Sequence, residues 1–270
     1  MPSAKSNPAF EVLRAHGGVR VPLLVHVPHS STHIPDDLRA SFVLDDAQLE
    51  AELLAMTDRY TDELFAAVLD LGGLMVVNRT SRLVIDPERF LDDADEPMTA
   101  KGMGAVYRRT SAGASLREAS FGPADRERLM RRFFEPYAMA LERAVTELLE
   151  EFGACYIVDG HSFPSAPLPY EDAALCRPEV CLGHEPFHVD AQLPLELERT
   201  LRGHGVEVAH NQPFAGSYVP LRHYRKDHRV RSVMLELRRD LYMDEGTGDR
   251  TPSFGATRKL VDDVLACVVS

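Results

Sequence analysis

Val21-Pro-Leu-Leu-Val-His26-Val-Pro-His29-Ser-Ser31 is an apolar run that stops at a proline-flanked histidine. A short apolar run bounded by turn signals reads as a strand, and burial on both faces is the mark of a parallel sheet. Cys155-Tyr-Ile-Val-Asp159-Gly-His161-Ser162 has the same form and the same ending. Two such strands, each terminating in His-Ser, put paired imidazoles at the carboxyl edge of a parallel sheet, where open α/β sheets place their sites. Metal-dependent chemistry is the first expectation.

Outward from these two runs, strand-like and helix-like periods alternate. The polar turn Thr32-His-Ile-Pro-Asp-Asp37 leads into residues 45–71, whose apolar positions recur at three and four as in one amphipathic helix closed by Gly72-Gly73. Residues 73–78 read as a second strand and Leu83-Val-Ile85 as a short third. Residues 86–122 are polar, glycine-dotted and without clear period, and loops that long tend to be functional. A long helix is expected over 123–152, a proline-rich passage over 163–169, a strand over 179–183 and a helix over 191–203. Strands at 206–210 and 232–237 and a helix at 253–268 complete the chain. This order predicts an α/β fold, a mainly parallel central sheet with helices on both faces. With no internal repeat or linker, 1–270 reads as a single domain with residues 1–20 as an N-terminal extension.

The charge balance narrows the partners. With 30 Lys and Arg against 42 Asp and Glu, the formal charge of −12 argues against nucleic acid or anionic membrane. It leaves room for a small acidic substrate gripped by a local arginine cluster. No apolar run reaches the roughly 18–20 residues that span a bilayer. The start, Met-Pro-Ser-Ala-Lys-Ser-Asn-Pro, lacks the apolar core of a secretory signal, so a cytoplasmic protein is expected. None of the four cysteines forms a Cys-x-x-Cys pair, and they read as reduced thiols, Cys155 and Cys267 in the core. Oligomeric state is left open.

A hydrolytic zinc site takes three ligands from His, Asp and Glu and leaves one position for water. His29 and His161 supply two, and Asp58 is a candidate third, on one helical stripe with Leu54, Asp62, Phe65 and Leu69. A carboxylate in such apolar company needs a partner, and a cation serves. Plainer readings stand beside these: hydrogen-bonded structural histidines, and an Asp58 paired with Arg59 or another arginine. Glu236 lies mid-strand in Val233-Met-Leu-Glu-Leu, where desolvation would raise its pKa toward that of a general base. Pairing with Arg238 or Arg239 is the alternative. Asn78-Arg79-Thr-Ser-Arg82-Leu-Val-Ile-Asp86-Pro-Glu-Arg89 gathers guanidiniums whose planar fork suits a substrate carboxylate, or else a salt-bridged loop.

The ordered set Pro28-His29-Ser-Ser, Asp58-Arg-Tyr-x-Asp62-Glu-Leu, Asn78-Arg-x-Ser-Arg82-x-x-x-Asp86, Gly102-Met-Gly-x-x-Tyr107, Asp159-Gly-His161-Ser-Phe-Pro-Ser, Asn211-x-Pro-Phe-x-Gly216 and Glu236-Leu-Arg-Arg-x-Leu-Tyr-Met243 resembles the N-formylglutamate amidohydrolase family. The likeness extends over about residues 21–243. It implies a phosphorylase/hydrolase-like fold related to zinc carboxypeptidases and peptidoglycan amidases. It also implies hydrolysis of N-formyl-L-glutamate to formate and L-glutamate in histidine breakdown, with one zinc ion per chain. Carried over by residue, His29, Asp58 and His161 would hold zinc, Glu236 would be the base and Arg82 would grip a substrate carboxylate. Asn78, Arg79 and Asn211 join Arg82 as candidate substrate contacts, and Asp159 and Asp86 are candidate supports behind the ligands. Two stretches depart from the pattern. Many members read Asp-Leu-Asn-Arg where this chain has Asp86-Pro-Glu-Arg89, and His-Ser-Gly where it has His29-Ser-Ser. A similar N-acyl acidic amino acid therefore stays open as substrate. So do a zinc peptidase or peptidoglycan amidase, a two-metal phosphoesterase, and a non-catalytic binding module on the same fold.

Overall fold

The computed structural model describes residues 8–270. Among them seven strands form one sheet: β1 Phe10–Arg14, β2 Leu23–Val27, β3 Leu74–Asn78, β4 Cys155–Phe163, β5 Val180–His184, β6 Val208–His210 and β7 Val230–Arg238. The spatial order is β1-β3-β2-β4-β7-β5-β6. The central strands β3, β2, β4 and β7 are parallel, as is β6 to β5, whereas β1 runs antiparallel to β3 and β5 antiparallel to β7. The helices are α1 Asp36–Arg39, α2 Asp46–Met56, α3 Thr61–Leu64, α4 Ala67–Leu71, α5 Pro123–Leu129, α6 Glu135–Phe152, α7 Gln192–Gly203 and α8 Phe254–Val268.

The two founding runs form strands because their side chains are buried on both faces. Leu23, Val25 and Val27 pack in one cluster with Val68 of α4, Leu197 of α7 and Val261 of α8, while Leu24 lies in another with Leu141, Val145 and Leu148 of α6. Alternation therefore covers both sides of the sheet with helix. His26 shares the parity of Leu24. It is in register with Asp159, as His161 is with Glu236, so all four side chains belong to the α6 face. A third cluster joins Leu38, Met56, Leu83, Val84, Tyr107 and Phe133, and it gives the loop region between β3 and α5 a core of its own.

Four local expectations are corrected. The single helix over 45–71 is three helices, because the backbone breaks at Thr57 (φ −86°, ψ 133°) and enters the left-handed region at Tyr60 (φ 67°). Leu83-Val-Ile85 is a buried turn whose N–H groups at 84 and 85 bond to the Ser81 carbonyl; β3 already has β1 and β2 as neighbours. The helix over 123–152 contains a π turn at Met130–Phe134. Within the expected extension, Phe10–Arg14 is an edge strand paired to β3, with Phe10 and Val12 packed on the α6 face. Residues 1–7 of that extension lie outside the described residues.

Gly183 in β5 permits a close approach: a Cβ there would lie 2.3 Å from the Gly216 carbonyl oxygen and 2.4 Å from Met234 Cε. Gly183→Ala should cost about 1–3 kcal/mol or more, since one contact is backbone and cannot swing aside. Urea unfolding of the metal-free protein measures it, and a change within about 0.5 kcal/mol, the range of an ordinary surface substitution, would remove the close-approach account.

Candidate metal centre and active site

Each candidate ligand arrives by a different local device. His29 follows the carboxyl end of β2, and His161 stands near the end of β4. Asp58 comes from the break between α2 and α3, not from a helical stripe. Its N–H donates to the His29 carbonyl (3.0 Å), and the Thr61 hydroxyl donates to the Asp58 carbonyl (2.8 Å). The helix gives up its register there because the backbone bonds to the neighbouring strand end instead of to itself.

Three side-chain atoms converge. His29 Nδ1 is 3.3 Å from His161 Nδ1, His161 Nδ1 is 3.2 Å from Asp58 Oδ2, and His29 Nδ1 is 3.7 Å from that same oxygen. Zinc with ligands at about 2.0–2.1 Å in a tetrahedron puts ligand atoms about 3.3 Å apart, so the donor set fits a divalent ion in both chemistry and spacing. The far nitrogens are occupied. His29 Nε2 is 2.8 Å from Asp86 Oδ1, and His161 Nε2 is 3.1 Å from Asp159 Oδ1. With the protons held at Nε2, both Nδ1 lone pairs face one point.

The supporting carboxylates are themselves anchored. Asp86 accepts from Arg82 (2.9 Å) and the Tyr107 hydroxyl (2.6 Å), with Arg89 at 3.4 Å. Asp159 is 2.9 Å from His26 Nδ1 and accepts from the Tyr218 N–H at 2.9 Å. Arg239 donates to the outer oxygen of Asp58 at 3.0 Å. Glu88 forms a further convergent group with His29 and His161. Its oxygens lie 3.0 Å from His161 Nε2 and 3.5 Å from His29 Nδ1. Asp58 is the better placed candidate, since a single oxygen of it lies within 3.7 Å of both Nδ1 atoms, whereas Glu88 approaches His161 at the nitrogen that Asp159 holds.

The electrostatics favour positive charge at the convergence point. Burial pulls His161 down, but Glu88, Asp159 and Asp58 more than reverse this and hold it well above the ordinary histidine value. Burial and Arg82 pull His29 down, and Asp86, Glu88 and Asp58 again win. Burial would raise Asp58, Asp86 and Asp159. The imidazoles, with Arg239 at Asp58 and with Arg82 and Arg89 at Asp86, bring all three below the usual carboxylate range. Glu236 behaves oppositely: burial, opposed by His161 and reinforced by Asp58 and Glu88, pushes it up to about 8. One of its oxygens has no hydrogen-bond partner. Neither Arg238 nor Arg239 pairs with it, because Arg239 serves Asp58 and Arg238 serves Asp240.

A cavity of about 850 Å³ opens onto this cluster, and its lining includes His29, Asp58, Arg82, His161, Glu236 and Arg239. Three candidate substrate contacts do not line it. Asn78 donates to the Pro28 carbonyl (2.9 Å) and accepts from the Thr80 N–H (3.0 Å). Arg79 bonds to Glu11 and Asp62, both at 2.6 Å. Asn211, at φ 53°, accepts from the N–H groups of His184 (2.9 Å) and Gly216 (3.1 Å). Asn78 and Asn211 are spent shaping backbone, and Arg79 is spent on two carboxylates. Sequence reasoning gave no site role to Glu88, His26 or Tyr218, and named Arg239 only as a possible partner of Glu236. Glu88 carried a signal, an acid where the family pattern has Asn, whereas His26 gave none beyond sitting in a buried strand.

A family model described as N-formylglutamate amidohydrolase matches residues 21–243 of the chain. N-formylglutamate deformylase of Pseudomonas putida is 32% identical over 244 residues, 87% of this chain and 86% of that one. N-formylglutamate deformylase of Pseudomonas aeruginosa is 28% identical over 267 residues, covering 96% and 97%. The crystal structure of N-formylglutamate amidohydrolase from Ralstonia eutropha JMP134 superposes with a TM-score of 0.84 at 26% identity, covering 97% of both chains.

Two substitutions test the supports. Asp159→Asn should weaken zinc binding by about 10–100-fold, measured by competition with a chelator; wild-type affinity would show that Asp159 does not orient His161. Asp86→Asn leaves Arg82 and Arg89 without their shared carboxylate. It should cost about 3–5 kcal/mol in denaturant unfolding of the metal-free protein, and a loss below about 1 kcal/mol would contradict the buried-pair account.

Proposed function

Because the chain belongs to the N-formylglutamate amidohydrolase family, we propose that it hydrolyses the amide bond of N-formylglutamate to give formate and glutamate, using one zinc ion held by His29, Asp58 and His161. The observation that carries this reading is the meeting of three ligand atoms within 3.2–3.7 Å of one another, two at strand ends and one at a break between helices, beside a buried glutamate with one unpartnered oxygen. A divalent ion bound there would act as a Lewis acid on the amide carbonyl and bring the pKa of water to about 7.

The side chains do the remaining work. Glu236 is the register partner of His161 on the adjacent strand, so backbone pairing holds the base beside the metal ligands. It takes a proton from the attacking water and returns it to the leaving amine, a task that suits a carboxyl raised toward neutrality. Arg82 is fixed by Asp86 and Tyr107 before substrate arrives, so it grips a substrate carboxylate with little loss of rotamer freedom. Arg239, in the cavity wall, adds positive potential for the developing oxyanion.

The test is formate release from N-formylglutamate by the zinc-loaded protein, with a metal-free control; no formate from the loaded protein ends the reading. Glu236→Gln should retain zinc by elemental analysis and lose about 100-fold or more in kcat/KM. A base works unprotonated, so wild-type activity should fall as pH drops through the pKa of Glu236. That value is about 8 without metal and lower beside a cation. A wild-type rate in Glu236→Gln would transfer the role of base to another residue.

A further inference from the structure

We propose that the same pocket also takes N-formyl amino acids with apolar side chains, carrying one carboxylate instead of two, and cleaves them at least as well as N-formylglutamate. This rests on the reading of the site as an N-formyl amidohydrolase and names a second substrate class for it. Two features of one segment, Pro87-Glu88-Arg89-Phe90-Leu91, carry it.

The first is charge. All five residues of the segment line the cavity, and Glu88 brings a carboxylate against the metal-binding histidines. Among the described residues it has only imidazoles, those of His26, His29 and His161, as ionic partners. The guanidiniums in that wall are committed. Arg82 and Arg89 share Asp86, and Arg239 holds Asp58. Arg89 also faces Glu96 at 3.9 Å, which leaves Arg82 as the guanidinium that can share its charge with a single substrate carboxylate. A second carboxylate in that wall meets Glu88, and like charges in a partly desolvated pocket repel.

The second is the rim. Of the seven large apolar side chains most exposed among the described residues, four border this cavity: Phe90 (39%), Leu91 (50%), Met139 (49%) and Leu221 (53%). Isolated exposed apolar residues are ordinary, but four around one mouth mark a binding surface. N-formylglutamate offers that rim two methylenes capped by a charge. A leucine or methionine side chain of similar length is apolar to its tip. The bond change is that of the proposed activity: water gives its oxygen to the formyl carbon, the C–N bond breaks, the amine takes the proton, and formate and the free amino acid leave.

The experiment measures kcat/KM for N-formyl-L-leucine and N-formyl-L-glutamate with zinc-loaded wild type, Glu88→Gln and Leu91→Asp. The leucine-to-glutamate ratio should be one or more in wild type. It should fall about tenfold or more in Glu88→Gln, through a gain on the glutamate substrate, and by a similar factor in Leu91→Asp, through a loss on the leucine substrate. A wild-type ratio below one, or a ratio that Glu88→Gln leaves unmoved, overturns the inference; formate from N-formylglutamate in that same experiment keeps the underlying reading intact. If neither substrate yields formate, the underlying reading falls, and calorimetric titration of N-formyl-L-leucine into the zinc-loaded protein decides the inference. Binding that Leu91→Asp weakens supports the rim, and equal or undetectable binding in both proteins overturns it.

Discussion

The hydrogen bonds from Asp86 and Asp159 to the outer nitrogens of His29 and His161 are the constraint on which the rest of the site depends. An imidazole has two nitrogens and, when neutral, one proton; whichever nitrogen is tied to a carboxylate decides where the lone pair points. Here both are tied at Nε2, so both Nδ1 atoms face Asp58. The arrangement places acids in a region almost closed to water, and buried carboxylates are stable only if each is matched by a cation or by hydrogen bonds. Arg82, Arg89 and Arg239 match Asp86 and Asp58, while two imidazoles and a backbone N–H match Asp159. The site is thus an alternating lattice of charge with a position at its centre suited to a divalent ion.

The sheet itself supplies part of that lattice, while His29, Asp58 and Asp86 come from segments just beyond strands and helices. Registered residues on neighbouring parallel strands share a face, and His26 with Asp159 and His161 with Glu236 are two such pairs. Two imidazoles and two carboxylates are thereby fixed relative to one another by backbone hydrogen bonds alone, before any side-chain packing is counted. α6 closes that face farther down, where Leu24 and Ile157 replace the polar residues. Along β4 the side chains change from core to site in the step from Ile157 to Asp159, which is the economy of a parallel sheet: one strand supplies both the interior and the chemistry.

This division explains what could be read from the chain. His29, His161 and Glu236 were legible because a polar residue interrupting or ending an apolar strand is an anomaly that burial must explain. Asp58 was legible as a residue and misread as structure. Its apolar company at intervals of three and four is real, yet a hydrogen bond to a strand end distant in sequence, Asp58 N–H to the His29 carbonyl, overrides the local helical preference. Asn78, Arg79 and Asn211 failed for a related reason. Position in a conspicuous polar segment says nothing about which way a side chain turns, and here backbone carbonyls, N–H groups and nearby acids claimed all three. β1 was missed because Phe10–Arg14 is half-buried, and its pairing partner is more than sixty residues away.

The segment after β3 shows how one short stretch separates scaffold from selection. Asp86 is fully buried behind His29, bonded to two arginines and a tyrosine, so a change to it reaches the His29 ring directly. Two residues later Glu88 is partly open to the cavity, and its backbone N–H is bonded to that same Asp86 at 3.2 Å. The turn is therefore pinned by the inner acid, which fixes where the outer side chain must emerge, while leaving its chemistry free to vary. Among the described residues Glu88 pairs with no guanidinium, only with the imidazoles of His26, His29 and His161, and Phe90 and Leu91 continue the same surface outward. The inner acid thus sets where the turn stands, and the turn sets which side chains face the cavity.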